Sequence, residues 1–571
     1  MIKPQRLRRA EYLIESSGVI PLMADLLRTD RRGRPYDEQK LRVFLIGLYL
    51  TIENCRSATI SDVVDTVHEE LDLDDQYRLR IRDRETGKLL ITKDHFYYLT
   101  KTITGQLGYG NSVPKRTEVF DDNGEHKGFC GITDEERRER RDAVSDICRR
   151  LLATTHVGPE PVAFAIDATG IWSWGKGRAK PTPSEIEALL DDLDEAAPLI
   201  DESTGPSEAD DFRVGSKGCH DGDAECGAKT AKDGTTHWFF GYHEHTVVQV
   251  PGLGENADDA PRLIRAFEVT PAKADVVEVS TRVLDSVDNG RQGKLLLADS
   301  FYHHKKFQRW KRPLREKGWD LVHDLRVDEY GFTEFERMRW AAGSAHCPAT
   351  PDGLGTIPRP GPMETRKEVH VAFRKQINLR RAYSMKMHSL PDLDGVHRVA
   401  CPALDGRIGC PLRAGTTAAA TAVGLPIVAA PPSIHDPEGL PKCCTQQTVL
   451  VKPPEPIAKL QQSRYWGSEE WVGLYARRTY VEGSYGNRKN GSTENLRRGL
   501  FHITGLPLVN LMLAMVNMAY NVRMIENWRE RQMAAPRGKD PLGADHPLVI
   551  DDSDIAGYRA VTFEQEYGKA A

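Results

Sequence analysis

The chain has 571 residues, of which 39% are hydrophobic and 28% are charged. This is the composition of a soluble globular protein with more than one domain. The formal net charge of −5 at pH 7 gives no global sign of a nucleic-acid-binding protein, so any such surface must be a local basic patch. The N-terminal sequence lacks the apolar segment of a secretory signal. Without such a signal, ten cysteines favour reduced thiols or a metal site over a disulfide framework.

Residues 1–155 are predicted to form a helical domain. Apolar residues recur at helical spacing in three segments, 37–53, 59–71 and 94–107. Thr133 and Glu136 match a capping box, which predicts a fourth helix over 134–152. Short helices joined by arginine-rich links suit a helix-turn-helix-like DNA-binding module. A plain helical bundle with solvated arginines explains the same pattern.

Two short apolar runs in the next region each end in an aspartate. The run at 161–166 (PVAFAI) precedes Asp167, and the run at 294–298 (KLLLA) precedes Asp299 and a basic segment predicted to be a helix. Both runs are typical of buried strands. A carboxylate at the end of a buried strand is a common component of a metal site. Either aspartate taken alone is as readily an ordinary residue that ends a strand.

Two segments between these aspartates have different characters. Residues 181–226 are acidic and rich in Pro, Ser and Gly, which predicts a surface insertion. Residues 237–250 (HWFFGYHEHTVVQV) are aromatic and β-branched, which predicts a strand or hairpin.

An irregular, Cys-containing insertion is predicted over residues 331–455, where periodicity is lost and Pro and Gly are dense. Four residues in it could form a structural zinc site: Cys401, Cys410, Cys443 and either Cys444 or His397. The alternative is a set of reduced cysteines with a packing role only.

The stretch at 475–489 (YARRTYVEGSYGNRK) places four functional side chains at intervals of three, four and seven residues: Tyr475, Arg478, Glu482 and Lys489. On an α-helix this spacing keeps them on one face. Gly483 and the glycines that follow are poor helix formers, so the helix is expected to fray after Glu482. The alternative interpretation is an amphipathic helix with a solvated, charged face.

The remaining residues are predicted to be one long helix and a tail. Residues 500–528 have a helical pattern, and their most apolar part, 506–522, is short for a membrane span and interrupted by asparagines. We therefore expect a buried helix within a last core segment, 456–530. Residues 531–571 are predicted to be a loose C-terminal tail.

The spacing Y-x2-R-x3-E-x6-K resembles the YREK signature of bacterial insertion-sequence transposases of the DDE class. The surrounding sequence is also similar to that family: AFAIDATGIW, GYHEH, LLLADSFYHHKKF and YVEGSYGNRKNGSTENLRRGLFHITGL. The resemblance covers roughly residues 160–528. It implies an α/β fold with an RNase H-like core, a mixed sheet flanked by helices, formed by residues 156–330 and 456–530 around the large irregular insertion.

The resemblance also implies a site and an activity. Asp167, Asp299 and Glu482 would be the catalytic acids that bind Mg²⁺ or Mn²⁺, beside DNA or phosphate contacts from three further residues: Tyr475, Arg478 and Lys489. The protein would bind the terminal inverted repeats of its element as a homodimer, cleave the DNA and transfer the 3′-OH ends to target DNA. A cytoplasmic, nucleoid-associated protein without membrane contact is expected.

Two alternatives to this activity remain open at the level of sequence. One is a catalytically inactive, transposase-derived DNA-binding protein. The other is an RNase H-like nuclease that cuts DNA without strand transfer.

Overall fold

The structure is a computed structural model of the chain. It describes residues 1–28, 33–120, 126–175, 221–230, 236–288, 290–303, 305–326, 328–361, 364–435, 438–497, 502–536, 538–543 and 545–550. The described residues form a mixed α/β protein in which a curled, mixed sheet is flanked by helices.

The N-terminal region is helical, and its four predicted helices are confirmed. The capping box forms, since Thr133 and Glu136 each accept a hydrogen bond from the other's backbone. A short hairpin, which the sequence pattern did not predict, precedes that helix. The elements are α1 (Pro4–Ser16), α2 (Val19–Leu26), α3 (Glu38–Glu53), α4 (Ile60–Asp65), α5 (Leu73–Arg78), α6 (Lys93–Leu107), β1 (Thr117–Phe120), β2 (His126–Cys130) and α7 (Asp134–Ala153), with a π-helical turn at Thr66–Glu70.

The central sheet has six strands. Its elements are β3 (Ala163–Trp172), β4 (Glu225–Thr230), β5 (Thr236–Val250), β6 (Ile264–Pro271), α8 (Val276–Asp285), β7 (Lys294–Ala298), α9 (Ser300–His303), α10 (Lys311–Glu316) and β8 (Trp319–His323). Strand β3 is antiparallel to β5 and parallel to β7, which is parallel to β8. The other edge of β5 pairs first with β4 and then with β6, both antiparallel.

The two faces of the sheet contact different cores because side chains alternate along a strand. Phe164 and Ile166 of β3 face a cluster with α8 and α10. Ala163 and Ala165 face the main core, which also contains the N-terminal helices. Asp167 follows the same alternation and lies on the main-core side.

Strand β3 corrects one prediction. It does not end at Asp167 but continues to Trp172, because β5 pairs with it along its whole length. The parallel partner β7 ends at Ala298, which is paired with Ile166. Asp167 therefore lies where the parallel neighbour stops, and not at the end of its own strand. The basic helix predicted after Asp299 is also wrong as one element, since α9 and α10 are separate short helices.

The predicted acidic insertion lies mostly outside the described residues, at 176–220. Its last residues are described and are not a surface loop. Asp221 and Asp223 are buried: Tyr242 donates to Asp221 at 2.6 Å, and the backbone N–H groups of Ser112 and Leu506 donate to Asp223 at 2.6 and 2.9 Å. These acidic side chains accept structural hydrogen bonds, which composition alone does not distinguish from solvation.

The insertion at 331–455 is more regular than predicted. Its elements are β9 (Thr333–Phe335), β10 (Met338–Ala341), β11 (Ser344–His346), α11 (Lys367–Ala382), β12 (Lys386–Met387), β13 (His397–Ala400), α12 (Thr416–Ala422), α13 (Lys442–Thr445) and β14 (Thr448–Val451). Strands β9–β11 and β12–β14 form two separate three-stranded sheets. The strands are only two to four residues long, too short for alternation to be visible in the sequence.

The last segment contains α14 (Glu455–Leu460), α15 (Glu469–Tyr475), a 3₁₀ turn (Ala476–Arg478), α16 (Thr479–Lys489) and α17 (Leu506–Ala534). Helix α17 is long and apolar enough to cross a membrane, but 94% of its most apolar window is buried inside the protein. The prediction of a buried helix is confirmed. It packs against α3, α6, α7 and β6, so the first and last parts of the chain share one core.

Asparagines attach α17 to the edge of the sheet. Asn521 accepts from the backbone N–H of Ile264 at 2.8 Å and donates to its carbonyl at 2.9 Å, and Asn510 accepts from Val269 at 3.2 Å. Both partners lie on β6, whose backbone would otherwise be an unpaired edge. Two of the asparagines that interrupt the apolar pattern of this helix, Asn510 and Asn521, therefore satisfy buried backbone groups.

The predicted tail is partly wrong. Residues 531–534 belong to α17, and Leu548 is buried in the main core, where its carbonyl accepts from Arg9 at 3.4 Å. Residues 551–571 lie outside the described part of the chain.

Candidate active site

Asp167 and Asp299 are brought side by side by the parallel pairing of β3 and β7. Ile166 pairs with Ala298. The next residue along the chain is Asp167 on β3 and, just after the end of β7, Asp299. Adjacent strands are about 4.8 Å apart, which places both carboxylates at one position on the sheet. The prediction that the two apolar runs present their aspartates together is supported by this register.

Glu482 reaches the same position from α16. The expected fraying after Glu482 is wrong, because α16 is continuous from Thr479 to Lys489 despite two internal glycines. Each glycine costs about 1 kcal/mol of helix propensity. The buried face of the helix, which includes Val481 and Tyr485, offsets that cost by packing on the sheet, and the Tyr485 hydroxyl donates to the Asp167 carbonyl at 2.7 Å.

One guanidinium group, that of Arg478, contacts all three carboxylates. Its Nη2 lies 2.8 Å from Glu482 Oε1, and its Nη1 lies 3.8 Å from Asp167 Oδ2 and 3.9 Å from Asp299 Oδ2. The last two distances are too long for hydrogen bonds. The structure thus brings together both predicted aspartates, the predicted glutamate and the predicted arginine.

Arg478 is largely buried, but its guanidinium makes only some of the hydrogen bonds that it could make. Its side chain is 14% exposed, and neither Nε nor Nη1 has a hydrogen-bond partner among the described residues. Burial alone would lower its pKa, but Tyr475, Asp299, Asp167 and Glu482 raise the pKa well above its ordinary value. A buried, charged N–H without an acceptor is costly. This favours an oxygen ligand arriving here from outside the chain.

Asp167 carries the perturbed carboxyl group of the site. Its pKa is raised from 3.8 to about 7: burial is the largest cause, the charges of Asp299 and Glu482 add to the shift, and the charge of Arg478 opposes it. Burial and two neighbouring carboxylates both disfavour the ionised form of this carboxyl group, and an added cation would favour it. Strongly perturbed groups of this kind are concentrated at functional sites.

The other two predicted residues also lie at the site. Lys489 Nζ donates to Thr169 Oγ1 at 2.9 Å, two residues beyond Asp167 on the same face of β3. The ring of Tyr475 stacks on Trp471 with centroids 4.7 Å apart, and the guanidinium carbon of Arg478 lies over the Tyr475 ring, 5.5 Å from its centroid. All six predicted site residues of the core are therefore gathered around Arg478 and β3.

Thr169 and Tyr485 were missed by the sequence analysis. Thr169 could have been found from strand alternation, since it lies two positions after Asp167. Tyr485 lies within the YREK stretch, but its role depends on a contact to a backbone carbonyl, for which no sequence pattern exists.

The donor types at the site fit a hard divalent cation, which takes carboxylate oxygens. In the described part of the chain, however, no three His, Cys, Asp or Glu side chains form a group placed to hold a metal ion. The guanidinium of Arg478 lies among the three carboxylates and offsets part of their negative charge.

The raised pKa of Asp167 predicts a pH dependence of stability. The folded protein keeps this proton to about pH 7, whereas the unfolded chain releases it near its ordinary pKa of 3.8. Raising the pH between these values therefore destabilises the metal-free protein, and the effect ends above the folded pKa. Asp167→Asn cannot titrate. We expect its melting temperature in chelator to rise relative to the unaltered protein from about pH 5 to about pH 7, and to show a constant difference above that.

Thermal unfolding of both proteins across this range is the measurement. A difference in melting temperature that does not change with pH would contradict the assignment of a raised pKa to Asp167.

Searches against protein-family models, curated proteins and solved structures find no match for this chain.

Proposed function

We propose that this protein is a DDE-type DNA transposase with an RNase H-like catalytic core. The observation that carries the proposal is the convergence of Asp167, Asp299 and Glu482 on one buried guanidinium. These residues come from two parallel strands and a helix that are far apart in the chain. Their meeting supports the order strand–Asp, strand–Asp, helix–Glu that the YREK resemblance implies. The mixed sheet flanked by helices supports the proposed core.

The three acids would hold Mg²⁺ or Mn²⁺, which when bound activates an attacking oxygen and stabilises the leaving oxygen of a phosphodiester. Asp167 would lose its proton as the cation binds, because its raised pKa depends on burial beside negative charges. The backbone of Asp167 is kept in place by the hydroxyl of Tyr485.

Arg478 and Lys489 would hold the DNA backbone. The unpaired Nε and Nη1 of Arg478 can donate to phosphate oxygens. Lys489 is directed at the same face of β3 by its hydrogen bond to Thr169. Most of the catalytic effect would then come from positioning and charge, as is usual for phosphoryl transfer. The stack on Trp471 orients Tyr475 beside these cations.

The test is a strand-transfer assay with the full-length protein, Mg²⁺, duplex DNA carrying the inverted repeats that flank its gene, and a supercoiled target plasmid. We expect covalently joined products whose formation requires a free 3′-OH on the repeat and is abolished by a chelator. Cleavage without joining would favour the nuclease alternative. Specific binding without cleavage would favour the inactive DNA-binding alternative. The absence of both binding and cleavage would overturn the proposal.

A further inference from the structure

The cores of the insertion do not gather the predicted zinc ligands. Cys401 and Cys410 belong to one apolar cluster, whereas Cys443 belongs to another, with Cys444 packed against it. His397 Nδ1 lies 2.9 Å from the Gly395 carbonyl oxygen. The unusual feature of the insertion is instead on its surface, at helix α11.

Helix α11 is nearly free of the protein that carries it. All of its 16 residues are described, and only Ile377 and Arg380 are buried. Phe373, which is half-buried, lies on the same side as these two, because steps of four and three residues follow one face of a helix. Most of the circumference is exposed, so the helix contributes little to a core.

The exposed part of α11 is basic, although the whole chain has a net charge of −5. It carries four cations, and Glu368 is the one carboxylate of the helix. Arg366, just before the helix, is not counted because it pairs with Glu364 at 2.6 Å. Among the described residues, no carboxylate lies within ion-pairing distance of the four cationic side chains: Lys367, Arg374, Lys375 and Arg381. Such a cluster of unpaired like charges favours a polyanion as its partner.

Contacts on one side fix α11 to the rest of the chain. Arg380 Nε donates to the Tyr465 hydroxyl at 2.9 Å, and its Nη1 donates to the Tyr330 carbonyl at 2.8 Å. Ile377 packs on Gly467, where an added Cβ would lie 3.2 Å from the Ile377 side chain. The helix is therefore held in one orientation, and its cations are presented on a rigid element.

A line of aromatic rings leads from α11 to the candidate active site. Phe373 contacts Trp466 with ring centroids 6.1 Å apart, and Trp466 contacts Trp471 at 5.9 Å. Trp471 stacks on Tyr475 at 4.7 Å, and the Arg478 guanidinium lies 5.5 Å from the Tyr475 ring centroid. These contacts connect α11 with the site over about 20 Å, which is the length of about six nucleotides along one strand of a duplex.

We propose that the exposed face of α11 binds the phosphate backbone of the same DNA duplex whose reacting phosphodiester lies at Arg478. Lysine and arginine side chains are the usual phosphate contacts of DNA-binding proteins. The identity of the polyanion as DNA rests on the proposed function. The exposure of the helix, its charge and its short path to the site do not depend on that function.

Two other partners fit this helix less well. Val371 and Leu379 are 52% and 44% exposed, but Lys375 lies between them on the same face. The helix therefore has no continuous apolar face with which to enter a membrane surface. A second copy of the chain is disfavoured because a two-fold contact through α11 would bring the cations of both copies together.

The test is binding of the full-length protein to labelled duplex DNA, in chelator to prevent cleavage and over a range of salt concentrations. The triple variant Arg374→Gln, Lys375→Gln and Arg381→Gln removes three charges, and glutamine has nearly the helix propensity of lysine and arginine. We expect its affinity to fall at least about tenfold at about 0.1 M salt, and the slope of log K against log [salt] to decrease by about 3. The loss should be equal for inverted-repeat DNA and for an unrelated duplex, because phosphate contacts carry no sequence information.

The matched control replaces three exposed cations of the same insertion with glutamine: Arg398 on β13, Lys442 on α13 and Lys452 just after β14. It changes the net charge by the same amount, and it should keep the affinity within about twofold. Equal losses of affinity in the two triple variants would overturn the inference, because they would show an effect of net charge alone. Binding of the unaltered protein to phosphatidylglycerol vesicles, without binding to duplex DNA, would also overturn it.

The outcomes separate this inference from the proposed function. If the unaltered protein transfers strands and the α11 variant keeps its affinity and salt slope, only the role of α11 is overturned. If the variant loses affinity and slope as expected but no joined products form with the unaltered protein, α11 is a DNA-binding helix and strand transfer is overturned. If the unaltered protein binds no duplex DNA, both are overturned.

Discussion

Replacing Asp167 with asparagine is expected, under the proposed function, to reduce metal-dependent DNA cleavage by at least about 10³-fold, because one of the proposed metal ligands is lost. The side chain is nearly isosteric, and it lies 8% exposed between Arg478 and the sheet. The backbone contact from Tyr485 to the Asp167 carbonyl does not involve the side chain. The fold and the binding of DNA ends should therefore persist, with a change in affinity below about tenfold.

The measurement is single-turnover cleavage of labelled end DNA, with end binding followed separately by fluorescence anisotropy. Asp328→Asn is the matched control, since that carboxylate is 77% exposed and lies 3.7 Å from the Arg326 guanidinium, too far for a hydrogen bond. It should cut at the normal rate. Asp299→Asn and Glu482→Gln should behave as Asp167→Asn does. Normal cleavage by any one of these three would exclude that residue from the catalytic set.

Replacing Arg488 with methionine is expected to destabilise the protein by about 3–5 kcal/mol, because it leaves a buried carboxylate without its cation. Arg488 Nη1 is 2.6 Å from Glu244 Oε1, and both side chains are completely buried. The same glutamate accepts from Asn517 of α17 at 3.0 Å. The pair thus joins α16, the central strand β5 and α17 at one point beneath the site.

The double variant Glu244→Gln with Arg488→Met is the control for this interaction. It removes the uncompensated charge, so it should be more stable than Arg488→Met alone, although each variant changes the same packing. Denaturant-induced unfolding of the two variants and the unaltered protein is the measurement. If the single and double variants have equal free energies of unfolding, the loss of stability in Arg488→Met comes from the changed side-chain volume and not from the unpaired buried charge of Glu244.

The residues of the candidate site were predictable because the elements that carry them follow local rules. Two buried apolar runs predicted strands, and a pattern of four side chains identified the helix residues. What those rules could not supply was the arrangement around Arg478, which was expected to face DNA and instead contacts Asp167, Asp299 and Glu482. That contact depends on strand register, which no single segment of the chain determines.

The insertion was the part least accessible from sequence. Its strands are two to four residues long, so tertiary pairing and not periodicity determines them. Likewise, the prediction that α16 frays after Glu482 is wrong, because the buried contacts of Tyr485 and Arg488 outweigh the low helix propensity of the glycines. Where local preference and packing disagree in this protein, packing decides the structure.

The shared core of the two chain ends has a consequence for the order of synthesis. Helix α17 fills the space between the sheet and the N-terminal helices, and Arg9 of α1 forms ion pairs with Glu53 of α3 and Glu526 of α17. A ribosome must therefore produce more than 500 residues before the first helices find their final partner. At about 5–20 residues per second, the early helices wait for tens of seconds. A chain that has not yet reached residue 482 contains Asp167 and Asp299 without Glu482. Such a chain lacks one of the three carboxylates that meet at Arg478 in the folded protein.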